Sequence, residues 1–252
     1  MIAKYVCSLW YQSYITMNFT VTAPIRKKTV LVFDVETSGL LPKKNKSNPN
    51  HIPVEAYPHI LQLSYALYDI SSNELLDTYD TYIKVKKEVE ISSVITNLTG
   101  ITRKDCIKGV SIIEALTEFY KAYITADIIV AHNIDFDKKM ILIELERNRQ
   151  AIIRSYPECT TIFNSTYEEL NGVEHYCSMR KGTIITNIMV ESKFPGKPPS
   201  LKWPRLNELY AKLFDGETVD GLHNAMVDVL VCLRCYMKMR HNIDCGLLLN
   251  SK

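Results

Sequence analysis

Apolar and polar positions change period several times along this chain. Residues 29–34 form a short apolar run ended by acids and then by Thr37-Ser38-Gly39, the pattern of a buried strand running into a tight turn. Residues 60–69 and 78–85 are two further strand-like runs. The turn formers Ser71-Ser72-Asn73 lie between them and predict a hairpin. The polar stretch 41–58, rich in Pro and Asn, reads as a long loop, a kind often functional.

The period then becomes helical. Ser111 precedes apolar residues at 112, 113, 115, 116, 119, 120 and 123, with Glu114 three positions after the serine, so a capped amphipathic helix is predicted. A short buried strand at 127–131 and a second amphipathic helix at 135–149 follow. Pro204 is placed to start a helix running through Phe214, which Asp215-Gly216 ends. A last helix is predicted from near Leu222 to about Arg240. Strands first, then strand and helix alternating, indicate an α/β domain with a mixed sheet and helices on its faces.

We divide the chain into residues 1–28, an N-terminal extension of unclear role, 29–240, the main domain, and 241–252, a C-terminal tail. In the extension, residues 18–23 alternate enough for an added edge strand. Lys4 and the apolar residues after it have the look of a signal peptide, but Gln12 and Ser13 break the run. Met17 offers an alternative start.

Composition narrows the class. The chain has 252 residues, 46% hydrophobic and 23% charged, which excludes a disordered or collagen-like protein. A net charge of +2 excludes a strongly basic nucleic-acid coat, though not a nucleic-acid enzyme whose acidic centre offsets a basic rim. No stretch approaches the ~18 apolar residues of a membrane span, so no membrane partner is expected. Seven scattered cysteines point to a reduced, intracellular protein, cytoplasmic or nuclear. Cys232 and Cys235 form a C-x-x-C within a helical run and read as buried thiols rather than a zinc site. Richness in Ile, Asn, Lys and Tyr is the composition of an AT-rich coding source such as a large DNA virus or a parasite.

Three polar clusters carry candidate chemistry. Asp34 and Glu36 are two apart on a strand, so both side chains face the same side, about 7 Å apart. Without a cation between them they repel, although D-x-E alone is equally a strand end reaching solvent. His132-Asn133-Ile134-Asp135-Phe136-Asp137 joins a buried strand to a helix. Acids in a first helical turn are stabilised by the macrodipole, so either aspartate could be only a cap. His223-Asn224-Ala225-Met226-Val227-Asp228 sets a histidine and an acid about one and a half turns apart at a helix start; alone it reads as a solvated helix start.

Together, D-x-E, H-N-x-x-F-D and H-N-A-x-x-D resemble the three motifs of the DEDDh exonucleases, which include the proofreading epsilon subunit of bacterial DNA polymerase III and the mammalian three-prime repair exonucleases. The likeness extends to residues 36–40, 60–63, 98–102 and 203–209, and so over most of 29–240. It implies a ribonuclease H-like fold, with a central mixed sheet flanked by helices. It also implies that Asp34, Glu36, Asp137 and Asp228 hold two Mg²⁺ ions, which Mn²⁺ can replace, with His223 as general base. Matching the middle motif selects Asp137 over Asp135.

Two such ions clamp the attacking and leaving oxygens and lower the pKa of bound water. A histidine titrating near neutrality can take that water's proton. In the resemblance Asp34 bridges both ions, Glu36 and Asp228 hold the ion with the attacking water, and Asp137 reaches the second. The turn Thr37, Ser38, Gly39 maps to contacts with the terminal nucleotide, and Leu40 to an apolar wedge beside its base. Phe136 either stacks on a base or packs in the core, Trp203 reads as packing, and His132 and Asn133 as shaping the corner. Lys43, Lys44 and Lys46 are either phosphate contacts or a solvated loop.

The implied activity is 3′→5′ removal of nucleoside monophosphates from single-stranded or frayed DNA ends, as in proofreading or repair, with a DNA polymerase acting in trans as a partner. An RNA or oligoribonucleotide exonuclease is the alternative within the same fold. A catalytically silent interaction module is disfavoured because every acid of the set is present.

Overall fold

A computed structural model describes residues 28–43, 52–192 and 195–246. The extension 1–27, with its expected edge strand, lies outside the described residues, as do Lys44, Lys46 and 247–252.

Strand β1 (Thr29–Thr37) is long because its apolar run continues through the two acids to Thr37. It sits at the centre of a five-stranded sheet ordered β3-β2-β1-β4-β5. β2 (Ile60–Asp69) and β3 (Glu74–Tyr82) form the expected antiparallel hairpin, and β2 also pairs antiparallel with β1. β3 begins four residues before the prediction and ends three before it. Pairing resumes at Glu74 opposite Asp69, and this half-exposed edge strand carries too many polar residues to show a strand pattern there. Beyond Tyr82, Ile83 keeps an N–H bond to the Leu61 carbonyl of β2 and also bridges Val110. That bridge requires Gly109, where a Cβ would lie 2.3 Å from the Tyr82 carbonyl oxygen.

Two short helices, α1 (Ser93–Thr99) and α2 (Arg103–Lys108), lead to α3 (Ile112–Tyr123), whose Ser111 side chain accepts the Glu114 N–H as its pattern predicted. β4 (Ile128–Ala131) then pairs parallel to β1. α4 (Ile134–Arg147) follows, close to the predicted 135–149, and Asn148 leaves helical geometry before α5 (Arg149–Ser155), which the pattern did not predict.

The polar middle holds α6 (Ser165–Asn171), β5 (Glu174–Cys177) and α7 (Ser178–Thr186), then a small hairpin of β6 (Met189–Val190) and β7 (Ser200–Leu201). α8 (Leu206–Leu213) starts two residues after Pro204, because the extended Arg205 is its N-cap. α9 (Ala225–His241) starts three residues later than predicted: Gly221 and His223 both have positive φ, and Asn224 caps the helix.

Alternation along β1 divides the core. Leu31, Phe33 and Val35 pack with α3 and α4 on one face of the sheet. Val30 and Val32 pack with Val229, Leu233 and Tyr236 of α9 on the other. Asp34 and Glu36 continue the α9 face beyond the last apolar residue. Cys232 and Cys235 are free, buried thiols of α9, as expected. Segment 242–246 folds back so that Asp244 pairs with the Arg234 guanidinium. No helix among the described residues is long and apolar enough to cross a membrane.

Candidate active site

The site forms where β1 outruns β4. β4 ends at Ala131, opposite the middle of β1, so the Val35 N–H finds no partner on that strand. Asp137, in the first turn of α4, accepts it through Oδ1 at 3.2 Å and is 3% exposed. The corner leading to α4 is built by Asn133, which adopts φ 72°, and by His132. His132 has both ring nitrogens engaged, Nδ1 with the Ser178 hydroxyl at 2.9 Å and Nε2 with the Pro204 carbonyl at 3.1 Å. Burial lowers its pKa to about 4, so the ring is neutral at pH 7 and shapes the corner. Asp135 points away and pairs with Arg180 at the surface. Of the two middle-motif acids, the structure therefore brings only Asp137 to the end of β1.

α9 supplies the opposite wall. Asn224 accepts the Met226 and Val227 N–H groups, which fixes the helix start. His223, just before it, is turned back by φ 70° and donates its own N–H to Asp228 Oδ2 at 3.2 Å. As a result Glu36, His223 and Asp228 each offer a ligand atom within 4.8 Å of the other two. The histidine is the exposed member of the three and both carboxylates are half-buried.

Electrostatics mark the cluster as incomplete on its own. Burial raises the pKa of Asp34 well above the usual carboxylate range, and the carboxylates of Asp137, Asp228 and Glu36 add to the rise. Burial, then Asp228, pushes Glu36 up to about 8. Burial also raises Asp137 against the opposing Val35 hydrogen bond, and raises Asp228 to about 6. None of the four pairs with a Lys or Arg among the described residues. Asp228 Oδ1 is buried without any hydrogen-bond partner. An all-oxygen set of repelling carboxylates with an orphaned acceptor fits a hard divalent cation.

The turn after β1 is held firmly. Thr37 Oγ1 donates to the Gly39 carbonyl at 2.7 Å. The Ser38 N–H donates to the His59 carbonyl at 2.9 Å, and the Ser38 hydroxyl accepts the His59 N–H at 2.9 Å. Leu40, beyond it, is 88% exposed and free to meet an apolar ligand surface. Phe136 packs against the main core. Trp203 corrects the sequence reading: it is 61% exposed, because its neighbour Pro204 takes the inward position. An open cavity of about 420 Å³ beside His223 and Asp228 is lined by Leu98, Arg205, Leu206, Asn207 and Leu222. Leu98 and Arg205–Asn207 lie in segments that the family likeness covers, but no spacing signals that they meet Leu222 here.

The chain thus carries an acidic centre at the end of the central strand of a mixed sheet flanked by helices. Residues 31–236 match the RNase T exonuclease family model, and the chain belongs to that family, as its DEDDh-like motifs implied. It is similar to the PolC-type DNA polymerase III of Caldanaerobacter subterraneus, at 26% identity over 56% of this chain and 9% of that protein. The Listeria welshimeri counterpart is 31% identical over 46% of this chain and 7% of its own length. The chain thus spans less than a tenth of the polymerases it resembles.

Solved structures of similar fold include cell-death related nuclease 4, with TM-score 0.57 and 14% identity over 86% of this chain and 65% of that one. Exonuclease I of E. coli bound to a dT13 oligonucleotide gives TM-score 0.55 and 17% identity, over 86% of this chain and 42% of its own.

Proposed function

We propose that residues 29–240 form a metal-dependent 3′→5′ exonuclease that releases nucleoside 5′-monophosphates from single-stranded or frayed DNA ends. The observation that carries this reading is the meeting of Glu36, His223 and Asp228 within 4.8 Å beside an unpartnered buried carboxylate oxygen. Asp34, Glu36, Asp137 and Asp228 are the residues that would hold two Mg²⁺ ions. When bound, such ions neutralise charge on the scissile phosphate and acidify the attacking water.

The chain's own groups do the rest. His223 takes the proton of the attacking water, and its exposure lets it pass that proton to solvent. Asp228 accepts the His223 backbone N–H and so holds the segment that carries the ring. Thr37, Ser38 and Gly39 receive the terminal nucleotide on a turn already fixed by His59, and Leu40 lies against its base. DNA is favoured by the similarity to DNA polymerase III relatives, which also supports a DNA polymerase as partner.

The test compares end-labelled single-stranded DNA, duplex DNA and RNA in one assay with Mg²⁺. Stepwise shortening from the 3′ end, fastest on single-stranded DNA and stopped by EDTA, is expected. Nucleic-acid binding that survives EDTA, with no nucleotide released under Mg²⁺, would refute the enzymatic reading.

A further inference from the structure

Gln62 lies on β2 directly opposite Glu36 and is 1% exposed. A buried primary amide offers two donors and one acceptor, and its orientation is set by what surrounds it. Here Nε2 donates to Asp80 Oδ1 on β3 at 2.7 Å, while Oε1 accepts the Ala225 N–H at 3.4 Å. The same Asp80 oxygen also accepts the hydroxyl of buried Ser64 at 2.6 Å.

Ala225 is the first residue of α9, and its N–H is one of the donors a helix start leaves unsatisfied. Asn224 serves only Met226 and Val227. The helix start is therefore shared, with Asn224 taking the next two N–H groups and Gln62 tying the first to the sheet. The Asp80 carboxylate accepts and cannot donate, so it holds the amide with its NH₂ outward and its carbonyl toward α9. A flipped amide would set two donors face to face at Ala225.

We infer that Gln62 is a positioning residue for the carboxylate cluster, and that Asp80, on the edge strand, orients it. Through Ala225 the amide fixes where α9 begins. It thereby fixes how His223 and Asp228 meet Glu36, the residue across the ladder from Gln62 itself. This inference rests on the reading that the cluster holds divalent metal.

The experiment measures Mn²⁺ binding to the full chain by electron paramagnetic resonance, without substrate, beside unfolding in EDTA. Gln62→Leu keeps the bulk and removes both bonds, and should weaken Mn²⁺ binding by about 10-fold or more, the usual effect of an outer partner of metal ligands. Asp80→Ala should shift affinity in the same direction by less. The double variant should bind no worse than Gln62→Leu alone, because the two act through one amide.

Asp77→Ala is the structural comparison. It removes the Asp77–Tyr65 hydrogen bond on the same edge strand, and should lower stability while leaving Mn²⁺ affinity unchanged. Wild-type Mn²⁺ affinity in folded Gln62→Leu overturns the inference. If Gln62→Leu does not fold, wild-type affinity in Asp80→Ala overturns it equally, as would an affinity loss in Asp77→Ala as large as theirs. Failure of the wild-type chain to bind Mn²⁺ at all would instead refute the metal reading on which the inference stands.

Discussion

Asp228→Asn should make the metal-free protein more stable while disabling it. The Asp228 carboxyl is raised to about 6, chiefly by burial, and its Oδ1 has no partner. A rise of that size from the ordinary aspartate value corresponds to a cost of ~3 kcal/mol for the ionised state in the folded protein. Asparagine removes that cost and keeps an oxygen to accept the His223 N–H. Its NH₂ can take the orphaned position. Against this, a first-turn acid gains ~0.3–1 kcal/mol from the macrodipole of α9, which the substitution gives up. Burial wins, and a net gain of ~1–2 kcal/mol is expected, or ~2–8 °C in unfolding midpoint for a domain of this size.

The sign fixes the pH window. A carboxyl whose folded pKa is raised destabilises fully above that pKa and not at all below its unfolded value. The gain should therefore be complete at pH 8, shrink as pH falls through about 6, and be absent near pH 4. Thermal unfolding of both proteins in EDTA at pH 8, 6 and 4 reads this directly. A loss of stability at pH 8, or a gain of equal size at all three values, would refute the electrostatic account of the cluster.

Asp34→Ala should abolish hydrolysis in a folded protein, measured by nucleotide release from single-stranded DNA, because no neighbouring carboxylate can replace the one facing all three others. Asp137→Asn should lose most activity. Asp135→Asn, which breaks only a surface pair with Arg180, should change stability by at most ~1 kcal/mol and leave turnover near wild type. His223→Ala should slow turnover by ~10²–10⁴-fold with Mn²⁺ binding largely retained; loss of metal affinity with a normal rate at saturating metal would make the histidine a ligand. Mg²⁺ should raise the wild-type unfolding midpoint more at pH 8 than at pH 5, since Glu36 at about 8 and Asp228 at about 6 must lose their protons to bind it.

The sequence exposed what depends on local pattern and hid what depends on contacts between distant segments. Strand β2 and helix α3 were legible because burial imposes a period and because Ser111 caps in a recognisable way. The choice of Asp137 over Asp135 came from motif likeness alone. In the structure Asp137 meets the Val35 N–H at the end of β1, whereas Asp135 meets Arg180 at the surface. β3 was misjudged because an edge strand half open to water tolerates residues such as Glu74 and Asp77. The start of α9 was set too early because apolar Leu222 carries no sign that its neighbours have positive φ. Trp203 was read as packing because an aromatic beside Pro204 gives no hint of which of the two turns inward.

The same distinction accounts for where the chemistry sits. β1 pairs antiparallel with β2 along its whole length but parallel with β4 for only three positions, so its last residues have a free side. A backbone N–H left open there must find an acceptor. α4 delivers one as a carboxylate, which adds a negative charge beside Asp34 and Glu36 instead of a neutral carbonyl. α9, docked over the same face, adds another. Each contact satisfies a local rule of backbone pairing or helix capping, yet their sum is a buried carboxylate group that no Lys or Arg among the described residues pairs with. Stability alone would favour amides at these positions, as the Asp228→Asn comparison is designed to reveal. The presence of four ionisable carboxylates at the strand end is the physical argument behind the proposal that they hold a cation.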